Sequence, residues 1–165
     1  MEGDAGSPVA VLMAEGTKQW RSLAESSALD AIVELLFDYR NQSKLVYSLL
    51  ELVGFMMMYG RLAEELCNRG VLPVVLEVML SAPTFGSGLI RLGFEIIWSA
   101  IEGVGGSCLE GLARQEYADG LQSLLSTVVK EGYKLEDKCL RNEIVILVNY
   151  LLSLPQAVPL FLNSH

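Results

Sequence analysis

Histidine is almost missing from this chain. The one histidine, His165, is the last residue, and the three cysteines, Cys67, Cys108 and Cys139, stand far apart with no CxxC pair. Zinc centres draw on closely spaced Cys and His ligands, so neither a metal site nor a cofactor is expected. The same scarcity removes the Ser-His-Asp and Cys-His groupings of nucleophilic catalysis. Cations are also few: 12 Lys and Arg against 20 Asp and Glu leave a net charge of −8, with no basic run anywhere. Binding phosphates takes clustered cations, so nucleic acid is not an expected partner. Long apolar runs are lacking too. The most apolar stretch, Leu45 to Tyr59, contains Glu51 and falls short of the ~20 residues that cross a bilayer. No basic region leads the N-terminus as in a secretory signal, and Glu2 stands where N-myristoylation needs glycine. These absences point to a soluble protein of the cytoplasm, its cysteines serving as small buried hydrophobes.

What the chain has instead is a repeat. Leu23 to Leu36 lies over Leu66 to Met79 without a gap, at an offset of 43 residues. Leucine meets leucine at 23/66 and 29/72, Ile32 meets Val75, and Glu34 meets Glu77. A looser third copy follows, with Leu112 matching Leu66 and Leu121 to Leu125 matching Val75 to Met79. Helical spacing with a period in the low forties predicts an all-α, right-handed α-solenoid of armadillo/HEAT-like repeats, about three units plus partial ends. Residues 1–16 read as a tail or remnant helix, with Val9 to Met13 as its apolar part, and 17–165 as the repeat domain. The units fall at about 17–58, 60–103 and 107–153, with a partial unit at 155–165.

Within them the expected helices are Thr17 to Ser26, Ala28 to Arg40 and Ser43 to Met58, then Arg61 to Arg69, Val71 to Ser81 and Ser87 to Glu102. The third unit is expected at Ser107 to Tyr117, Ala118 to Lys130 and Glu136 to Ser153, with Glu131 to Asp137 as a longer loop. Ser43 and Ser87 are candidate N-caps, and Gly70 a left-handed turn residue. Pro73 sits in a first turn, where its missing N–H does no harm. Neither end has a polar cap, so the chain reads as rungs of a longer stack, with Leu160, Phe161 and Leu162 left uncovered.

Candidate chemistry is thin. Adjacent pairs such as Glu64-Glu65 and Glu136-Asp137 do not face one another on a helix. Gly103 to Gly106 follows a helix rather than a strand and lacks the Gly-Lys-Ser/Thr ending, so it reads as a helix terminator and not a phosphate loop. No catalytic residue and no small-molecule substrate are expected. Met56 to Met58 reads as core filling. The third helices align Leu45 with Leu89, Val46 with Ile90, Glu51 with Glu95, and Val53 with Ile97. A stripe of Glu95, Trp98 and Glu102, with Glu51 before it, could face a groove and take a basic or amphipathic partner helix. It could equally be a tryptophan packed between repeats with glutamates keeping the surface soluble. Trp98 is followed four residues on by Glu102 where peptide-clamping armadillo proteins have Asn, so extended-peptide clamping of that kind is disfavoured.

Phe94-Glu-Ile-Ile-Trp-Ser-Ala-Ile-Glu102 and Leu140-Arg-Asn-Glu-Ile-Val-Ile146 resemble two segments of the cilia- and flagella-associated protein 69 family. They stand at a similar separation, and the resemblance spans roughly residues 24 to 154. The family departs at Gly103 to Gly106, where it has a charged helical stretch. The resemblance implies an armadillo-type scaffold of the motile-cilium central apparatus, located in the axoneme and holding other central-apparatus proteins. It carries no catalytic or cofactor residues. The alternative is a cytosolic armadillo-type adaptor, unrelated to cilia, that binds a basic or amphipathic helix.

Overall fold

Apolar side chains recur every three or four residues through most of the chain, which gathers them into one stripe of a helix. The computed structural model describes residues 18–81, 87–131 and 135–162, and these are mostly helical with no strand among them. Helix α1 covers residues 18–24. It is followed by α2 (Ala28–Asp38), α3 (Ser43–Met57), α4 (Gly60–Asn68), α5 (Val71–Ser81) and α6 (Ser87–Val104). A 3₁₀ segment, Gly106–Leu112, then leads to α7 (Gln115–Glu131), α8 (Leu135–Leu152) and the short α9 (Val158–Leu162). The all-α expectation holds. The tail with Val9 to Met13 and the loop at 82–86 lie outside the described residues.

The internal repeat can be followed into the core. Leu29 and Leu36 of α2 are buried, and so are Leu72 and Met79, the residues that match them in α5. Val46, Leu50 and Val53 of α3 are buried, and so are Ile90, Phe94 and Ile97 of α6. Leu140, Ile144, Leu147 and Leu151 give α8 a buried stripe of the same spacing. These residues form one continuous apolar cluster.

The contacts between elements recur as well. Helix α2 packs on α5 and α5 on α7, while α3 packs on α6 and α6 on α8. Helix α4 lies against α2, α3 and α6, and the 3₁₀ segment holds the matching place against α5, α6 and α8. Helix α9 takes up the next such position, against α7. Charge joins the first two groups. Arg69, at the end of α4, reaches Asp30 at 3.0 Å and the Ala24 carbonyl at 3.3 Å, and also pairs with Glu65.

Several boundaries differ from expectation. Gly70 does adopt a left-handed φ of 76°, and Gly105 a φ of 102° that ends α6. Beyond Gly105 the chain winds as a 3₁₀ segment rather than an α-helix. Its backbone closes tight turns, with the Cys108 N–H donating to the Gly105 carbonyl and Ala113 N–H to Glu110. Helix α7 therefore starts at Gln115, earlier than Ala118. Most of the expected loop at 131–137 is helix, since α7 runs to Glu131 and α8 begins at Leu135. Ser43 is the first residue of α3 and not its cap. Gln42 holds the cap position and makes no side-chain cap bond.

The methionine run divides: Met56 and Met57 are buried, but Met58 is largely exposed because α3 ends there. Of the three expected buried cysteines, Cys67 and Cys108 are half-buried and Cys139 is exposed. Cys139 falls beside the core stripe of α8, which begins at Leu140. At the C-terminal end Leu162 is exposed, whereas Leu160 and Phe161 are half-buried. Gln115 and Gln122 of α7 donate to the carbonyls of Leu160 and Phe161, which ties α9 down.

Tyr117 is the largest fully buried side chain. Its hydroxyl donates to Glu77 Oε1 at 2.9 Å, joining α7 to α5. Burial first, then the Glu77 carboxylate, pushes the phenol from its usual 10.0 up to about 12. Between those values the unfolded chain binds fewer protons than the folded one, so stability declines as pH rises. Tyr117→Phe is expected to cost about 1–2 kcal/mol at neutral pH, through the lost hydrogen bond. It should also abolish this tyrosine's share of the alkaline decline, as measured by urea unfolding from pH 8 to 12. An unchanged profile would mean that the phenol does not titrate there.

Candidate partner-binding face

Helix α3 crosses α6 near Gly54, where a Cβ would sit at ordinary contact distance, 3.6 Å from Ile96 and 4.0 Å from Leu92. Close approach brings the flanking residues of the two helices to one surface. Glu51, Phe55 and Met58 of α3 and Leu92, Glu95 and Ser99 of α6 line a hollow of about 310 Å³. Glu51 and Glu95 are both exposed, and neither takes part in an ion pair described for the chain. The rim is aromatic. Trp20 of α1 stacks on Tyr59 with ring centroids 4.3 Å apart, and Phe55 meets Tyr59 edge-on at 5.5 Å. Phe55 and Met58 remain open to solvent.

Thus two of the four candidate residues, Glu51 and Glu95, share one hollow, and the other two stand outside it. Trp98 is half-buried against the core and tilts against Tyr150 of α8, centroids 5.7 Å apart. It packs between successive third helices. Glu102 is exposed near the end of α6. Sequence reasoning missed Phe55, Trp20 and Tyr59, and took Met58 for core rather than for a binding surface. The one available signal was the spacing of Glu51, Phe55 and Met58, which share a helix face at i, i+4 and i+7.

A further carboxylate lies beside this face. Glu143 of α8 is partly buried, and its Oε2 accepts no hydrogen bond among the described residues. Burial raises its pKa, Arg91 of α6 opposes that, and Glu95 adds to it. The negative potential of Glu95 therefore extends toward α8 and is partly offset by Arg91.

Two other groupings bring polar or thiol side chains together. Arg40, Glu77, Leu80, Ser81, Glu116 and Tyr117 line a second hollow, of about 280 Å³. The thiols of Cys67 on α4 and Cys108 on the 3₁₀ segment are near enough to influence each other's titration. That proximity, with burial, pushes Cys67 up, while it holds Cys108 below the ordinary thiol value. Among the described residues no group of three or more His, Cys, Asp or Glu is placed to hold a metal ion. No helix is long and apolar enough to cross a membrane, again among the described residues.

No family model, curated protein or solved structure matches the chain.

Proposed function

We propose that the chain is a non-enzymatic scaffold segment of armadillo/HEAT-like repeats, wound as a right-handed α-solenoid, and that it binds a protein partner across α3 and α6. One observation carries the binding reading. Glu51 and Glu95, equivalent in the repeat and distant in sequence, line a single hollow whose other walls include Phe55, Met58 and Leu92. Exposed apolar side chains beside two exposed carboxylates suit a helix that is apolar on one side and cationic on the other. The contacts that recur every three elements support the repeat reading, with units at about 17–58, 60–103 and 107–153.

A basic amphipathic helix is the adaptor reading, and the composition of the hollow favours it. Glu51→Lys with Glu95→Lys is expected to weaken binding of a Lys/Leu amphipathic helical peptide about tenfold or more, since attraction becomes repulsion at two points. Fluorescence anisotropy of the labelled peptide at low salt reads this. Equal affinity for the native chain and the double variant would overturn the assignment of this face.

Placement in the motile-cilium central apparatus, among other central-apparatus proteins, rests on the resemblance carried by Phe94 to Glu102 and Leu140 to Ile146. Tagging the protein in a multiciliated cell tests it. Signal along the axoneme is expected, and a cytosolic signal with bare axonemes would favour the adaptor reading instead.

A further inference from the structure

A second surface, apart from the hollow, follows from comparing the repeat with itself. Leu89 and Ile96 of α6 are 3% and 0% exposed, and α6 packs on α3, where Ile96 comes close to Gly54. The matching residues of α3 are Leu45 and Leu52. They form the same i, i+7 stripe but are 39% and 44% exposed. Leu35 of α2 repeats the pattern: it is exposed, while its match in α5, Val78, is buried. The first group thus carries the face by which the second group stacks on it, and in this chain nothing described covers that face.

The opposite end offers its counterpart. Glu143 and Tyr150 of α8 are turned toward α6, through Arg91 and Glu95 in one case and the Trp98 ring in the other. Val145 and Leu152 stand two residues beyond each, about 200° round the helix. They face away from α6 and are exposed. The described residues therefore carry an uncovered aliphatic stripe at each end, and in the internal packing of α3 on α6 the side equivalent to Leu45–Leu52, which holds Leu89 and Ile96, is the one that becomes buried.

We propose that copies of the chain associate head to tail, the Leu45–Leu52 stripe of one copy taking the Val145–Leu152 stripe of the next. The contact continues the internal interface from one molecule into another. Because the two stripes are different surfaces, it is heterologous and does not close on itself at two copies. Each copy carries a net charge of −8, so repulsion opposes the contact and salt relieves it.

Sedimentation equilibrium of the intact chain tests this. The average mass is expected to rise with protein concentration beyond that of a dimer, and more steeply at 0.5 M than at 0.05 M salt, where the Debye length is about threefold shorter. Leu45→Glu with Leu52→Glu should be monomeric, and so should Val145→Glu with Leu152→Glu. Mixed in equal amounts, the two variants keep one good stripe each and should stop at a dimer. Circular dichroism checks that both keep their helix content. If either loses it, the glutamine versions at the same positions replace it. A native chain that stays monomeric throughout overturns the proposal. So does a Val145/Leu152 variant that still dimerises, because the contact would then be symmetric.

Discussion

Phe94→Ala is expected to lower the unfolding free energy by about 3–5 kcal/mol, the usual loss for a fully buried large aromatic. Phe94 is 0% exposed. It sits on α6, the helix that packs against α3, α4, α5, the 3₁₀ segment and α8. Truncation opens a cavity in the middle of the stack rather than at an edge, where neighbours could slide in to fill it. Domains commonly hold only about 5–15 kcal/mol in total, so this one change removes a large fraction. Urea unfolding followed by circular dichroism measures it, as a lower midpoint with little change in slope. A loss below about 1 kcal/mol would mean that α6 is not the central element it is here.

Gly93→Leu should cost about 3 kcal/mol, although it makes α6 look more like its own repeat. Leucine is what α3 has at the matching position, Leu49. Yet α6 approaches α5 so closely at Gly93 that a Cβ would overlap Cγ and Sδ of Met79. Met79 is itself completely buried, so it cannot give way by moving into solvent. A substitution suggested by the repeat is thus opposed by packing. Combining it with Met79→Ala should restore part of the loss, giving a favourable coupling of about 1–3 kcal/mol in a double-mutant cycle. Strictly additive losses would show that the two side chains do not compete for one space.

Most helices were legible because apolar spacing states them directly, and because the repeat states α2 and α3 twice. The pairing of Glu51 with Glu95 was legible for the same reason: equivalent positions on stacked helices fall side by side. Trp98 was harder. It lies three residues past Glu95, about 60° round the helix, and that rotation turns it from the open face toward α8. Glu102 keeps the direction of Glu95 but stands about 10 Å further along, beyond the hollow. The 3₁₀ segment was not legible. Its sequence, Gly106 to Leu112, carries helical leucines, and only the backbone set up by Gly105 tightens its turns. Trp20 of α1 and Tyr59, at the start of α4, meet through tertiary packing with no local pattern to announce it.

The recurrence of contacts has a mechanical side. Every principal contact joins elements no more than three places apart along the chain. Among the described residues no principal pairing joins the first helices to the last. On the proposed repeat reading, tension along the chain is carried in series, group after group. Pulled from its ends, such a chain gives way one group at a time and lengthens in steps, while the groups not yet reached keep their packing. Released, each recovers by docking on the neighbour that stayed folded.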